Sequence, residues 1–330
     1  MAVRTDRRSV HTLPTDPPLR QTCPRPVLQL IAWGLVVVCF LGLQPAAATA
    51  QPSAVPPTKP WDAVLIASFN IQVFGDSKMS KPHVVDMLAR VVRQFDVVAI
   101  QEVRSKNEQL VPTFVQQVNA AGGRYHYIVG PREGRTTSKE QYTFIYDTDR
   151  IEVDVASPGV FPDPDDRLHR PPLCVRFRTR VIPEHMAFTF WLVDTHTDPD
   201  EVPEELAALC DVFRAMQRLR PDEDDVIMLG DLNAGPPEFA PLSPIAGLAW
   251  AVDGVTTNTR RTKTYDNLVF SVPATSEYLG HWGVVDLQQT FGLSEEAALE
   301  VSDHNPVWAA FHPAETRGQQ PVALQPTTTR

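Results

Sequence analysis

Positive charge is what this chain lacks. Its 330 residues carry 30 Lys and Arg against 40 Asp and Glu. Five of the arginines but only two of the acids fall in the first 50 residues, so the remainder holds 25 basic and 38 acidic residues, a net charge of −13. Such a surface has no general attraction for a polyanion; a phosphate-bearing substrate would need local arginines and a bound cation. Cysteine is also scarce. Of the four, Cys23 and Cys39 lie near the N-terminus, leaving Cys174 and Cys210. There is no CxxC and no Cys/His cluster, so nothing suggests a zinc centre. Cys174 and Cys210 form one disulfide or remain two buried thiols, since both fall on apolar faces. No internal repeat is present, which excludes a solenoid.

What is present begins with an export signal. Arg4, Arg7, Arg8, Arg20 and Arg25 precede an uncharged apolar stretch from Val27 to Leu43; Pro45 and the small residues Ala46 to Ala50 follow. That order is expected of a signal peptide with an A-x-A-type cleavage site, and the alternative is an uncleaved anchor at the lower edge of membrane-spanning length. Either puts the rest of the chain outside the cytoplasm, secreted or periplasmic, with a membrane partner only if the segment is uncleaved. Residues 1–50 are thus read as the signal peptide and 51–61 as a Pro-rich linker. Residues 62–312 are read as one folded domain and 313–330 as a disordered tail.

Inside the domain, strand and helix patterns alternate. A strand over 63–69 precedes a helix from Ser80 to Phe95, capped by Ser80, with Val84, Met87, Leu88, Val91, Val92 and Phe95 on its buried face. A strand over 96–101 follows, and Ser105 to Glu108 has the spacing of a capping box opening the next helix. Between 123 and 195 strand patterns follow one another. A helix over 201–219, a strand over 225–230, and strands near 265–272 and 305–311 complete the domain. Mixed βα units with consecutive antiparallel strands imply two packed sheets flanked by helices.

Polar residues recur where apolar strands end or begin: Asn70 in SFNIQ, Glu102 in AIQEVR, Glu140 in SKEQY, His196 in DTHTDPD, Asp231 and Asn233 in LGDLNA, Asp266 and Asn267 in TYDNLVF, and Asp303 and His304 in VSDHNPV. Alone, each is explained by a turn, a cap or a solvated strand end. Together they supply what phosphodiester hydrolysis requires. A divalent cation must neutralise the phosphate oxygens, and Glu102 with Asn70 and Asp303 offers hard oxygen ligands for Mg²⁺ or Mn²⁺. One imidazole must take a proton from water while another supplies one to the leaving oxygen. Asn70 and Asn233 can donate to the non-bridging oxygens.

The segments FNIQVFGDSKMS, AIQEVRS, GRTTSKEQYTF, HTDPDE, LGDLNA, TYDNLVF and SDHNPV resemble, in order, the motifs of the deoxyribonuclease I branch of the endonuclease/exonuclease/phosphatase superfamily. The resemblance spans about residues 62 to 312. It implies a four-layered α/β/β/α sandwich and a hydrolase acting on phosphoester bonds. It also implies residue roles: Glu102 as principal metal ligand with Asn70; His196 paired with Glu140 and His304 with Asp266; Asp231, Asn233 and Asp303 organising cation and phosphate. Arg104, Arg135, Arg170, Tyr265 and Asn267 would contact substrate. Two departures stand out: Gln72 and Ser138 occupy positions where the family's nucleases carry an Arg and a groove-stacking Tyr. Calcium sites of the family are traced only to Asp253 with Thr256 and Thr257.

The expected activity is a secreted, metal-dependent, monomeric endonuclease with DNA as substrate, little sequence preference and no stable protein partner. One alternative keeps the fold and acts on a lipid or small phosphoester, as a sphingomyelinase or phosphoinositide phosphatase would. Another is a non-catalytic binding module.

Overall fold

The computed structural model describes residues 51–53, 59–181 and 183–316. The expected signal peptide over residues 1–50, the middle of the expected linker and the residues beyond 316 lie outside the described residues. The elements run β1 (Gln51–Ser53), β2 (Val64–Phe74), α1 (Asp76–Met79), α2 (Pro82–Val92), β3 (Val97–Val103), α3 (Leu110–Asn119), β4 (Tyr125–Val129) and β5 (Gln141–Asp147). Next come β6 (Ile151–Val153), β7 (Gly159–Val160), β8 (Leu173–Thr179), β9 (Thr189–His196), α4 (Val202–Leu219) and β10 (Val226–Asp231). The chain continues through β11 (Leu248–Trp250), β12 (Asp266–Ser271), β13 (Tyr278–Val284), α5 (Leu287–Phe291), α6 (Glu295–Val301) and β14 (Val307–Phe311).

Two mixed sheets result. One has the order β1-β13-β14-β2-β3-β5-β4; the other has β11-β12-β10-β9-β8-β6, with β7 on β8. Their inner faces meet through Phe144, Phe177, Phe188, Phe190, Phe270 and Phe311, all fully buried. Each such side chain contributes about 1.5–3 kcal/mol by leaving water. Outside the first sheet, α2 and α3 pack Leu88, Val92, Phe114 and Val118 against β2 and β3. Outside the second, α4 packs Leu206, Leu209, Phe213 and Met216. The four-layered sandwich follows from strands apolar on both faces, which need cover on each side.

Several expected boundaries are corrected. Ser80 closes α1, and α2 begins at Pro82, whose missing N–H is harmless in a first turn. The capping box at Ser105 is absent. The Ser105 hydroxyl donates to Asp76 and accepts from the Asn107 N–H, so α3 starts only at Leu110. The tail is bound through residue 316: Phe188 and Thr179 both donate to the Pro313 carbonyl, and Ala314 bridges Ala187. Lys59, assigned to the linker, binds Asp147 at 2.6 Å. Cys174 and Cys210 are free and buried. Among the described residues no helix is long and apolar enough to cross a membrane.

Candidate active site

The parallel strands β2, β3, β9 and β10 end at the same edge of the sandwich where the antiparallel β5, β12 and β14 begin. That topology converts residues scattered over more than 230 positions into neighbours. Asn70 lies fully buried on β2, just ahead of a bulge where the pairing with β3 skips from Asn70 to Phe74. Its amide nitrogen donates to Glu102 at 3.3 Å and to Asp231 at 3.0 Å, while its Oδ1 accepts the Gln72 N–H at 2.9 Å. This polar residue on an apolar strand is therefore a hub.

The bulge is strained. Gln72, Val73 and Glu102 all have positive φ, 23°, 51° and 62°. For a β-branched residue such as Val73 this is an outlier, and each such residue costs about 1–3 kcal/mol. The distortion points the Val73 N–H at Glu102 Oε2, 2.8 Å away. Lys78 holds the bulge from behind, donating to the carbonyls of Ile71, Gln72 and Val301. Gly230 serves β10 in the same spirit: a Cβ there would lie 1.8 Å from the Thr195 carbonyl oxygen. Only glycine lets β9 and β10 approach closely enough to set His196 beside Asp231.

Two imidazoles flank one carboxylate oxygen. His196 Nε2 is 3.5 Å and His304 Nε2 3.4 Å from Asp231 Oδ2. On their outer sides, His196 Nδ1 meets Glu140 at 2.7 Å and His304 Nδ1 meets Asp266 at 2.9 Å. Both expected couples are thus formed. Burial opposes charge on His304, but the Asp266 and Asp231 carboxylates outweigh it and raise its pKa well above the imidazole range. His196 is likewise raised, burial being overcome by Glu140 and Asp231. Burial would raise Glu140, yet His196, Arg170 and Arg104 hold it low. Burial raises Asp303.

The structure brings together Asn70, Glu102, Glu140, His196, Asp231, Asp266, Asp303 and His304. Asn233 closes the β10 turn, its N–H on Asp231 and its amide on the Thr197 carbonyl. Arg104 lies 3.2 Å from Glu102 and 3.4 Å from Glu140, and Arg170 lies 3.4 Å from Glu140. The Tyr265 ring stands 5.8 Å from that of His304. Two assignments do not fit. Asn267 is fully buried and spends its amide on Val252 and Leu268, so it holds a strand rather than a substrate. Arg135 is tied to Asp166 and Glu201. Of the calcium candidates, Thr257 is buried and its hydroxyl donates to Asp266 at 2.6 Å.

Supporting groups that pattern reading missed include Lys78 and Ser302, whose hydroxyl donates to the Asn70 carbonyl at 2.7 Å, while Thr257 was read only as a calcium candidate. Tyr142 takes the His196 N–H at 2.9 Å, and its place in the KEQY segment was the available signal. For a metal, the donor set suits a hard cation: Asp303 Oδ1 is buried and accepts no hydrogen bond, with His304 Nε2 4.0 Å away, and Glu102 and Asp231 present further carboxylate oxygens. Asp231, Asp266 and His304 also present donor atoms within 4.8 Å of one another.

The endonuclease/exonuclease/phosphatase family model matches residues 67–304. Deoxyribonuclease-1-like 1 of Sus scrofa is 34% identical over 275 residues, covering 80% of this chain and 85% of that protein. Deoxyribonuclease-1 of Sus scrofa is 30% identical over 257 residues, covering 73% and 89%. A mannosyl-6-phosphatase structure from Bacteroides thetaiotaomicron aligns with a TM-score of 0.53 at 18% identity, covering 74% of this chain and 98% of that one. At that identity the likeness shows the fold alone.

Proposed function

Because the chain belongs to the endonuclease/exonuclease/phosphatase family, in its deoxyribonuclease I branch, and is therefore a phosphoester hydrolase, we propose that it is a secreted, metal-dependent endonuclease that cuts DNA phosphodiesters with little sequence preference. The observation that carries this reading is the pair of carboxylate-backed imidazoles on either side of Asp231. A binding module has no need of two such couples. The names of the relatives support DNA as the substrate. Residues 1–50 as a signal peptide, followed by a linker and a catalytic domain acting as a monomer, complete the reading.

Each residue has a task in this proposal. Of His304 and His196, both held protonated by neighbouring carboxylates, one donates its proton to the departing sugar oxygen while the other, deprotonated at the start of the step, takes a proton from the attacking water. Glu140 and Asp266 fix each ring with Nε2 facing inward. Asn70, Asn233 and Arg104 orient the phosphate, with Arg170 holding Glu140 ionised and Tyr265 bordering His304. Glu102, with Asn70 and Asp303, would hold Mg²⁺ or Mn²⁺, which supplies charge neutralisation at the phosphate oxygens when bound.

A second reading, hydrolysis of a lipid or small phosphoester, is favoured by Gln72 and Ser138. Ser138 accepts from Arg104 at 3.1 Å and offers no ring to a DNA groove. Supercoiled plasmid and phospholipid, offered side by side with Mg²⁺ and with a chelator control, separate the two. Nicking that vanishes with chelator and in His196→Ala supports the nuclease; phospholipid turnover without nicking refutes it.

A further inference from the structure

A second group of acids lies at the far end of the sandwich. Asp225 immediately precedes β10, whose other end carries Asp231. Six strand residues at about 3.3 Å each place the two about 20 Å apart. Around Asp225 stand Glu277, just before β13, and Glu315, just after β14. One oxygen from each of the three lies within 4.8 Å of the others. Asp225 and Glu277 are both 1% exposed, and Glu315 is half-buried at the rim.

Charge at this place is not balanced. No cationic side chain among the described residues is ion-paired with Asp225, Glu277 or Glu315, and the buried guanidinium of Arg176 is bonded to Glu223 at 3.2 Å and lies 3.7 Å from Asp154. Glu277 accepts the N–H and hydroxyl of Thr316, and Glu315 accepts the N–H of Thr189. Asp225 is different. Neither of its oxygens completes a hydrogen bond, although its backbone is fixed to Glu223 and Trp191. The Thr275 hydroxyl faces Asp225 and favours its ionised form, yet it too is 1% exposed without a well-formed bond. Burial, with Glu223, Glu277 and Glu315, pushes Asp225 well above the carboxylate range. A buried carboxylate with neither oxygen hydrogen-bonded, set beside two further carboxylates, is costly unless a cation fills the gap.

We propose that Asp225, Glu277 and Glu315, with the Thr275 hydroxyl, form a Ca²⁺ site that fastens the 312–316 segment to the β9 and β13 ends of the two sheets. Oxygen-only ligands in an irregular arrangement suit Ca²⁺, which accepts six to eight of them flexibly; Mg²⁺ demands near-octahedral geometry. The site touches none of the catalytic residues. Its role is to hold the end of the chain, which returns over Thr179, Ala187 and Thr189.

The test is the full mature chain, stripped with chelator and titrated with CaCl₂ alone in equilibrium dialysis, alongside thermal melts. Wild type should bind one more equivalent of Ca²⁺ than Glu277→Gln/Glu315→Gln, and Ca²⁺ at hundredfold its dissociation constant should raise its melting midpoint by roughly 5 °C. Glu102→Ala, which disturbs the catalytic centre, should keep that equivalent. The double variant should nick plasmid within twofold of wild type at saturating Mg²⁺. Glu315→Gln alone, at the half-exposed rim, serves if the double variant fails to fold. Equal stoichiometry in wild type and Glu315→Gln overturns the site. So does wild type binding no Ca²⁺ beyond what Glu102→Ala removes, which would mean that the carboxylates share protons instead.

Discussion

Replacing Asn70 by Ala removes three contacts at once: the donors to Glu102 at 3.3 Å and Asp231 at 3.0 Å, and the acceptor for the Gln72 N–H at 2.9 Å. Hydrogen bonds to charged groups are worth about 1.5–3 kcal/mol each, but water admitted to the space left by the truncated side chain can replace part of the loss. We expect a stability cost of about 2–4 kcal/mol, with the fold retained. Turnover should fall further. Loss of one positioned donor beside developing charge costs about 10²–10³ in kcat, and here the same amide also spaces two carboxylates. Asn70→Asp is the sharper variant, since it sets a third carboxylate against Glu102 and Asp231 and should nick more slowly still. The assay is the initial rate of supercoiled plasmid nicking, normalised to folded enzyme by thermal melt. An Asn70→Ala enzyme that loses stability yet turns over within threefold of wild type would refute the reasoning and make Asn70 a turn residue only.

Other outcomes follow from the same geometry. His304 is held protonated chiefly by Asp266, so Asp266→Asn lowers its pKa; the alkaline limb of the pH–rate profile should move to lower pH, with turnover at pH 8 reduced about 10²-fold. Glu315 is pushed up by burial to about 7 from 4.5, so without Ca²⁺ the folded state binds its proton more tightly than the unfolded chain does. Its stabilising contribution is complete below pH 4.5 and lost as pH rises through about 7, so the urea midpoint in chelator should fall over that window, and by less in Glu315→Gln. Cys174, raised to about 12 by burial, and Cys210 are separate thiols, so dithiothreitol should leave the melting midpoint unchanged; a drop would reveal a disulfide.

The residues that cluster at the candidate site were legible because short local patterns carry them. GDxN needs its glycine for strand approach and its Asp and Asn for the turn that follows, all within a few residues. Long-range assignments fared unevenly. Asn267 and Arg135 sit in motifs or on polar segments, yet their partners, Val252 and the pair Asp166 and Glu201, come from elsewhere in the chain. Thr257 was read as a calcium candidate, and no local pattern marked its contact with Asp266, nine residues downstream. The strand β13 escaped notice because YLGHWGV alternates poorly, with Gly280 at φ 73° and a shifted register against β14. The expected helix start at Ser105 failed for a tertiary reason, since Asp76 engages the hydroxyl.

Each His–carboxylate couple of the candidate site bridges the sandwich. Glu140 leads into a strand of one sheet and His196 ends a strand of the other; His304 and Asp266 are divided the same way, as are Asn70 and Asp231. Neither half of the molecule therefore holds half an enzyme. A slip of one sheet past the other by a fraction of a residue would uncouple both histidines together, long before the phenylalanine layer melted. On this reading activity would be a vernier on how the two sheets are aligned, and a chain cut between Asp147 and Ile151, which parts Asn70, Glu102 and Glu140 from His196, Asp231, Asp266 and His304, should be silent until the pieces reunite.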